Sequence, residues 1–512
     1  MRKELLILSL IAISSWSFGQ DNAIGFFEDA LRFSQSNYSL GSSARMQAIG
    51  GASVSLGGDI SSAVSNPAGL GFFNRSVFTL SPSMNFSNAI TDFSITNDEV
   101  INRNESFRNN FNLANIGAVI NWNKGRFSED KFKGGSLAIS INRNANFHLN
   151  RGYEGRNEEN SIIDFYANDF GGNIGELAFQ QYLVDEVLVE SGGELVAVGF
   201  QPYYEGDAGR SPVQNEIIEE RGSGYSTNIS WGGNYDDWFY FGGGIGFQTV
   251  NYRITKIFDE FDYQRTDNGQ GDDLLNSVSE VSQLDFRGAG VDFNVGVILR
   301  PVSFMTIGAS YVSPTFYSVN TEQITDLTVD WRDGVVFDDG TGNLVDIGGV
   351  ETLGIIEPTE YTLRSPSKLR VGTSLFIGKS GFLTGDLEWV DHSNATINSN
   401  DFPTSEDNLA INEFYRSVMN IRVGGEYRIQ SIRLRAGYSI LPSPYTNSNL
   451  NEITNLTFGI GYRTSDYFLD LAVVNSERSV SYAPYFTNDG FQPLADSDIT
   501  NTAVTVTFGL NF

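Results

Sequence analysis

From Val77 onward the chain alternates apolar and polar residues with a period of two, in fourteen separate stretches. They begin near Val77, Phe111, Gly135, Gly222, Trp238, Leu284, Phe304, Ser365, Phe382, Val418, Ile432, Thr454, Tyr467 and Thr500. In one, Val291, Phe293, Val295 and Val297 alternate with Asp292, Asn294 and Gly296. The connections alternate as well. After the even-numbered stretches they are mostly short, as in Tyr235-Asp236-Asp237 and Gln430-Ser431. After the odd ones they are generally longer: 88–110, 150–221, 257–283, 321–362, 395–413, 443–453 and 482–498. Short turns at one end and long loops at the other characterise membrane-spanning barrels, and an even, closed set of strands leaves no unpaired edge in lipid. The pattern predicts an all-β fold, a transmembrane antiparallel β-barrel of fourteen strands. A sandwich or propeller has no reason to sort its loops by length.

The chain opens with Met1-Arg2-Lys3, an apolar run from Leu5 to Ile13, and Ser17-Phe18-Gly19. This is the form of a secretory signal peptide over residues 1–19, leaving Gln20 or Asp21 at the mature terminus. The run is too short for a membrane-spanning helix, which needs about 20 apolar residues. There is no Cys, which excludes disulfides, thiolate-held metals and a cysteine lipid anchor. A formal net charge of −29 argues against nucleic acid as a partner.

Between the leader and the first strand lies a different kind of sequence. Residues 41–75 are rich in Gly and Ser and contain Asn66-Pro67-Ala68, followed by Gly69-Leu70-Gly71. Small residues let backbone pass close to backbone, and Pro67 cannot donate to a ladder. Such a segment suits a plug inside a barrel; an exposed linker is the alternative. A weak amphipathic stretch, Phe26 to Phe33, predicts a short helix at its start. The Gly-Ala-Ser-Val-Ser run and Asn66-Pro67-Ala68-Gly69 at the junction with the first strand resemble the N-terminal hatch of the FadL/TodX outer-membrane transporters. The stretches Ser365 to Gly372 and Asp386 to Asn394 resemble that family too. The resemblance implies a hatch over residues 20–74 and a barrel over 75–512. It also implies an outer-membrane location, with outer-membrane lipid around the barrel and a hydrophobic small-molecule ligand such as a fatty acid or hydrocarbon, taken up passively. A second reading, of another class, is a FadL-like barrel that serves as a subunit of an outer-membrane secretion or assembly complex. Other outer-membrane proteins would then be its partners, on loops 150–221 and 321–362.

The ends of the barrel have their own signals. The last strand puts Val504, Val506, Phe508, Leu510 and Phe512 on one face and ends at a terminal Phe, as outer-membrane proteins do. Trp122, Trp231, Trp238, Tyr427, Tyr438 and Tyr462 lie near turns and are candidates for the interfacial aromatic girdles, with ordinary buried aromatics the alternative. In the longest loop, Ile174, Leu177, Ala178, Gln181 and Tyr182 recur at helical spacing, as do Leu183, Val187 and Leu188, predicting one or two short helices over the mouth.

Catalytic and cofactor signals are thin. The only histidines are His148 and His392, without the oriented partners a triad or a ligated metal needs. Ser365-Pro366-Ser367-Lys368 matches an acyl-serine pattern but opens a strand rather than a helix. Gly242 to Gly246 is Gly-rich without the helix and downstream acid of a dinucleotide loop, and suits close approach of a plug. Asp338 to Asn343 departs from the EF-hand pattern and reads as a turn. No catalytic residue, cofactor or metal site is assigned.

One strand breaks its own pattern. The outward row of the third stretch runs Leu137, Ile139, Ile141 and then Arg143. A cation facing lipid costs about 2–4 kcal/mol at the midplane and about 0–1 kcal/mol near the interface. Arg143 either reaches up to the interface or turns inward at a bulge near Asn142–Asn146. In the FadL family the third strand kinks inward and leaves a lateral exit. Asn142, Arg143 and Asn144 are therefore the candidate lateral-opening strand.

Overall fold

The computed structural model describes residues 26–34, 41–95, 100–124, 129–188, 195–199, 212–263, 274–338, 343–446, 448–487 and 491–512. The expected leader, the proposed mature terminus and most of the turn at Asp338 to Asn343 lie outside them. So do residues 20–25 and 35–40 of the expected hatch.

Fourteen antiparallel strands form one closed barrel. They are β1 Val77–Ile95, β2 Asn102–Asn123, β3 Phe132–Asn146 resuming as Leu149–Arg156, and β4 Val213–Tyr235. Next come β5 Phe239–Phe261, β6 Leu275–Val302, and β7 Met305–Val312 resuming as Phe316–Trp331. Then follow β8 Gly349–Arg364 resuming as Lys368–Ile377, β9 Gly381–Asp391 resuming as Thr396–Asn398, and β10 Ser417–Ile429. The last are β11 Ile432–Leu441, β12 Ile453–Arg463, β13 Tyr467–Tyr482 and β14 Pro493–Asn511. β1 and β14 close the ring, in register from Val77↔Asn511 to Ile95↔Pro493. At the short-turn end, Asp236 and Asp237 take positive φ of 55° and 59°, which matches the twist of two-residue hairpins.

The outer surface carries the apolar rows that the alternation predicts. Phe293 and Val295, for instance, are each 54% exposed. Apolar exposure on this scale is what a lipid-facing wall requires. Trp122, Trp238, Tyr427, Tyr438 and Tyr462 are exposed on it, whereas Trp231 is only partly so and stacks edge-on against Phe241.

The long loops are shorter than the sequence suggested, because several strands continue well past the membrane. β6 has 28 residues and β11 has 10. Most of the expected 321–362 loop is strand, as are both ends of the 150–221 loop. Alternation continues there because one face still packs on protein while the other meets water. Among the described residues the α-helices are α1 Phe27–Ser34, α2 Ala44–Gln47, α3 Ser62–Ser65, α4 Ile162–Asn168, α5 Asn173–Gln180 and α6 Ser405–Phe414. The second helical pattern expected in the long loop is instead a strand, Val184–Leu188, paired with Leu195–Gly199.

α4 and α5 cap the mouth. α4 starts with a capping box, in which Ser161 Oγ accepts from Ile163 N and Asp164 accepts from Ser161 N. Ile162, Ile163, Tyr166, Leu177 and Ala178 pack with Leu327, Val329 and Trp331 of the tall wall.

Candidate functional site

Residues 41–73 lie inside the barrel, nearly all buried, bonded to the wall around most of its circumference. Thr507 of β14 accepts from Ala44 N at 2.8 Å, and Thr457 of β12 from Gly50 N at 3.0 Å. Asp386 of β9 accepts from Ser53 N at 2.6 Å and Val54 N at 2.9 Å. Ser310 of β7 donates to Ser65 O at 2.8 Å, and Ser230 of β4 to Ala63 O at 2.7 Å. The segment has little ladder of its own, so inward-facing wall side chains satisfy its backbone.

Asn66 does the reverse and reaches the wall's backbone. Its Nδ2 donates to Val54 O at 2.8 Å, Val297 O at 3.2 Å and Ala309 O at 3.3 Å, while its Oδ1 accepts from Ala68 N at 3.1 Å. Val297 and Ala309 are partners across the β6–β7 ladder. Pro67 opens the 3₁₀ turn Pro67–Phe72 that contains Ala68 and Gly69. The wall makes room here: a Cβ on Gly296 would lie 2.0 Å from Asn66 Oδ1, and one on Gly242 2.6 Å from the Pro67 carbonyl carbon.

The third strand is interrupted. The β2–β3 ladder runs from Asn123↔Gly134 to Asn115↔Asn142 and ends there. Against β4, Arg143 pairs with Tyr225 and Ala145 with Gly224, so Asn144 is the extra residue of a bulge. β2 carries its own irregularity beside this point: Ser81 of β1 faces Asn115 and Pro82 faces Leu113, so Ala114 is skipped. Beyond these two irregularities, among the described residues, β2 forms a ladder only with β1, and β3 only with β4.

Arg143 lies inside, 2% exposed. It donates to Ala145 O at 3.2 Å, Asn146 Oδ1 at 2.7 Å and Ser223 Oγ at 2.9 Å. Asn144 donates to Gln248 Oε1 at 2.7 Å, and Asn142 accepts from Asn115 at 2.5 Å. The luminal segment touches the bulge directly, since a Cβ on Gly41 would lie 2.1 Å from Arg143 O.

A cavity of about 350 Å³ lies in the outer half of the lumen, against the interruption. Asn144, Ala145, Asn146 and Phe147 line it on the β3 side, and Arg478, Val480 and Tyr482 on the β13 side. Leu31 and Arg32 of α1 line it as well. α1 is anchored in the lumen by an aromatic cluster, with Ala30 and Leu31 among Tyr252, Phe286, Tyr317 and Tyr361. Asp29 pairs with Arg32 and accepts from Tyr361 at 2.6 Å, and the Arg32 guanidinium sits 4.4 Å over the Tyr252 ring. Burial raises the Asp29 pKa, outweighing Arg32 and Tyr361. Arg151 is paired with Glu220 at 2.9 Å. Arg478, by contrast, makes no hydrogen bond or ion pair among the described residues. The cavity thus offers apolar surface and a cation, Arg478, whose nearest opposite charge is the Glu220 carboxylate already bonded to Arg151.

The structure brings Asn144 to this cavity, with Asn142 and Arg143 beside it at the end of the ladder, and places Asn66 to Gly69 at the opposite, short-turn side of the lumen. His148 lines the cavity and His392 sits buried in a 3₁₀ turn after β9. The sequence reading marked Asp386 only as the start of a family-like stretch, without its bond to the luminal segment, and missed Ala114 and Arg478. Arg478 has no local signal. Ala114 left a trace, because the alternation of β2 changes phase between Leu113 and Ile116.

The fold is that of solved hydrophobic-compound channels. A Pseudomonas aeruginosa FadL homologue superposes with a TM-score of 0.53, at 12% identity, over 92% of this chain and 98% of the other. The P. putida toluene transporter TodX does so with a TM-score of 0.51, at 12% identity, over 92% and 99%. No protein-family model and no curated protein matches the sequence.

Proposed function

We propose that this protein sits in the outer membrane and mediates passive uptake of hydrophobic small molecules, leaving the lumen sideways between β2 and β3. The observation that carries the reading is the position of the cavity, directly against the place where the β2–β3 ladder stops. Apolar solutes cross a polar outer surface slowly, and a route from lumen into lipid avoids an aqueous step. In this reading residues 20–74 are the hatch, and Asn66-Pro67-Ala68-Gly69 fixes its lower end to the wall. Asn142, Arg143 and Asn144 hold the bulge that keeps the wall parted. Support comes also from the fold shared with the toluene transporter TodX. The test is uptake by cells that lack their own hydrophobic-compound channel. Expression of the chain should raise entry of toluene or of a long-chain fatty acid over cells carrying an empty vector. Unchanged entry of both overturns the proposal.

A further inference from the structure

Where β8 rises above the membrane, its far side pairs with no strand among the described residues. β7 pairs with it from Trp331↔Gly349 to Phe316↔Arg364. On the other side only Thr362, Leu363 and Arg364 are paired, with Thr396–Asn398. Just above them, Ser399 Oγ donates to Glu360 O at 2.9 Å. Among the described residues no strand pairs with that side of Gly349–Tyr361. The cause is a mismatch in height, because β9 stops at Asn398 while β8 climbs to Gly349.

Backbone groups alternate sides along a strand. Glu360 O faces the open side, so the amides and carbonyls of Ile356, Gly354, Thr352 and Val350 face it too. Pro358 belongs to the same set, and its missing N–H is needed by nothing there. The side chains of this set turn outward: Val350 is 69% exposed and Ile356 64%. Open edges are commonly blunted with Lys, Pro or a bulge. Pro358 protects the lower part of this one, and residues 350–356 hold no Lys, Pro or bulge and a single charge, Glu351, which alternates to the face opposite that of Val350.

The charge beside the edge is of one sign. Opposite Val350, Gly354 and Pro358, β7 presents Asp330, Asp326 and Glu322. Asp326 leans toward the edge, since its Oδ1 lies 2.2 Å from where a Cβ on Gly354 would be. Gly354 thus leaves an acidic notch between Thr352 and Ile356 of the rim. A second copy of this chain would bring the same acids to the same place, and like charges directly opposite each other are destabilising.

We infer that the free edge of β8, Val350 to Ile356, is a docking site for an extended segment of another protein. That segment adds as a strand and places a Lys or Arg beside Gly354, against Asp326. Main-chain bonds supply the affinity in this mode, and the side chain in the notch supplies the selection.

The test uses the full chain in lipid nanodiscs and two labelled peptides, Thr-Val-Thr-Lys-Thr-Val-Thr and its counterpart with Glu at the centre. The Lys peptide should bind about tenfold or more tightly than the Glu peptide at low salt. Asp326→Asn should remove that preference, and high salt should shrink it. Thr352→Pro, which removes an edge-facing N–H that the barrel does not use, should abolish binding of both. Equal binding of the two peptides, binding of neither, or unchanged binding by Thr352→Pro overturns the inference. Val350→Cys provides a further check in a chain with no other Cys. Disulfide-linked homodimers in the membrane would make the occupant a second copy and also overturn it.

Discussion

The side chain of Asn115 on β2 donates to that of Asn142 on β3 at 2.5 Å, and these two residues are the last pair of their ladder. An amide pair at this point ties the two strands below the gap while Ala114 and Asn144 bulge away above it. If cargo leaves sideways, the gap must open between β2 and β3. Cysteines at Leu113 and Ala145, joined by a short bis-maleimide, should lower uptake of hydrophobic cargo to the level of cells without the protein. Each single cysteine should leave it unchanged. Normal uptake by the bridged protein excludes lateral exit here.

Asn66 is held by three carbonyls, so its two nearest replacements separate donor from shape. Asn66→Ala removes the bonds and should weaken docking of the luminal segment by about 1–3 kcal/mol. Asn66→Asp keeps the shape but turns acceptors toward Val54 O, Val297 O and Ala309 O, and should do at least as much harm. The readout is leakage of small hydrophilic solutes from proteoliposomes, with Asn66→Asp at or above Asn66→Ala. Tight vesicles with both variants would remove Asn66 from its proposed role.

The cap over the mouth should respond to pH through Glu260. The apolar outward row of β5 ends at Phe247, and the exposed Arg253–Asp285 ion pair, at 2.5 Å, marks water. Glu260 is seven residues further out, beyond the membrane-spanning part of the strand. It is buried and accepts from Ser161 Oγ, from Ile162 N at 3.0 Å, from Gln214 at 2.8 Å and from Tyr263 at 3.0 Å. Burial nevertheless pushes its pKa up from 4.5 to about 7. A carboxyl raised in the folded state stabilises most below its ordinary value and loses that contribution as pH rises through the folded one. Hydrogen exchange over residues 161–183, corrected for intrinsic rates, should therefore be slower at about pH 6 than at about pH 8. Glu260→Gln should flatten the difference; a wild-type cap indifferent to pH would contradict the assignment.

Arg478 lines the cavity, near Glu220 but with no side-chain hydrogen bond among the described residues, and should select among ligands. A hydrogen bond to a charged group is worth about 1.5–3 kcal/mol, or roughly tenfold or more in affinity. Arg478→Met should reduce uptake of a carboxylate-headed amphiphile by about that factor at low concentration and spare toluene. Equal loss of both would point to a damaged lumen rather than a headgroup site.

The number of strands, their inward and outward faces and the sorting of turns from loops were legible in the chain itself. They depend on a period of two and on residues such as Asp236 and Asp237 that suit a tight turn. Gly296 and Gly242 were visible as small residues, but not their purpose, which exists only when Asn66 and Pro67 arrive from far away in sequence. The inward turn of Arg143 was half legible. A cation in an apolar row signals a conflict, yet reaching the interface and bulging inward resolve it equally well in one dimension. The choice was made by Ser223 and Asn146, which supply acceptors inside, and by Gly41, which packs on the bulge. The free edge of β8 was not legible at all. Alternation says that a segment is a strand, but whether the strand has two neighbours depends on how far the next one climbs. Here the chain turns away after Asn398, and only the assembled wall shows that no described strand stands beside Val350 to Ile356.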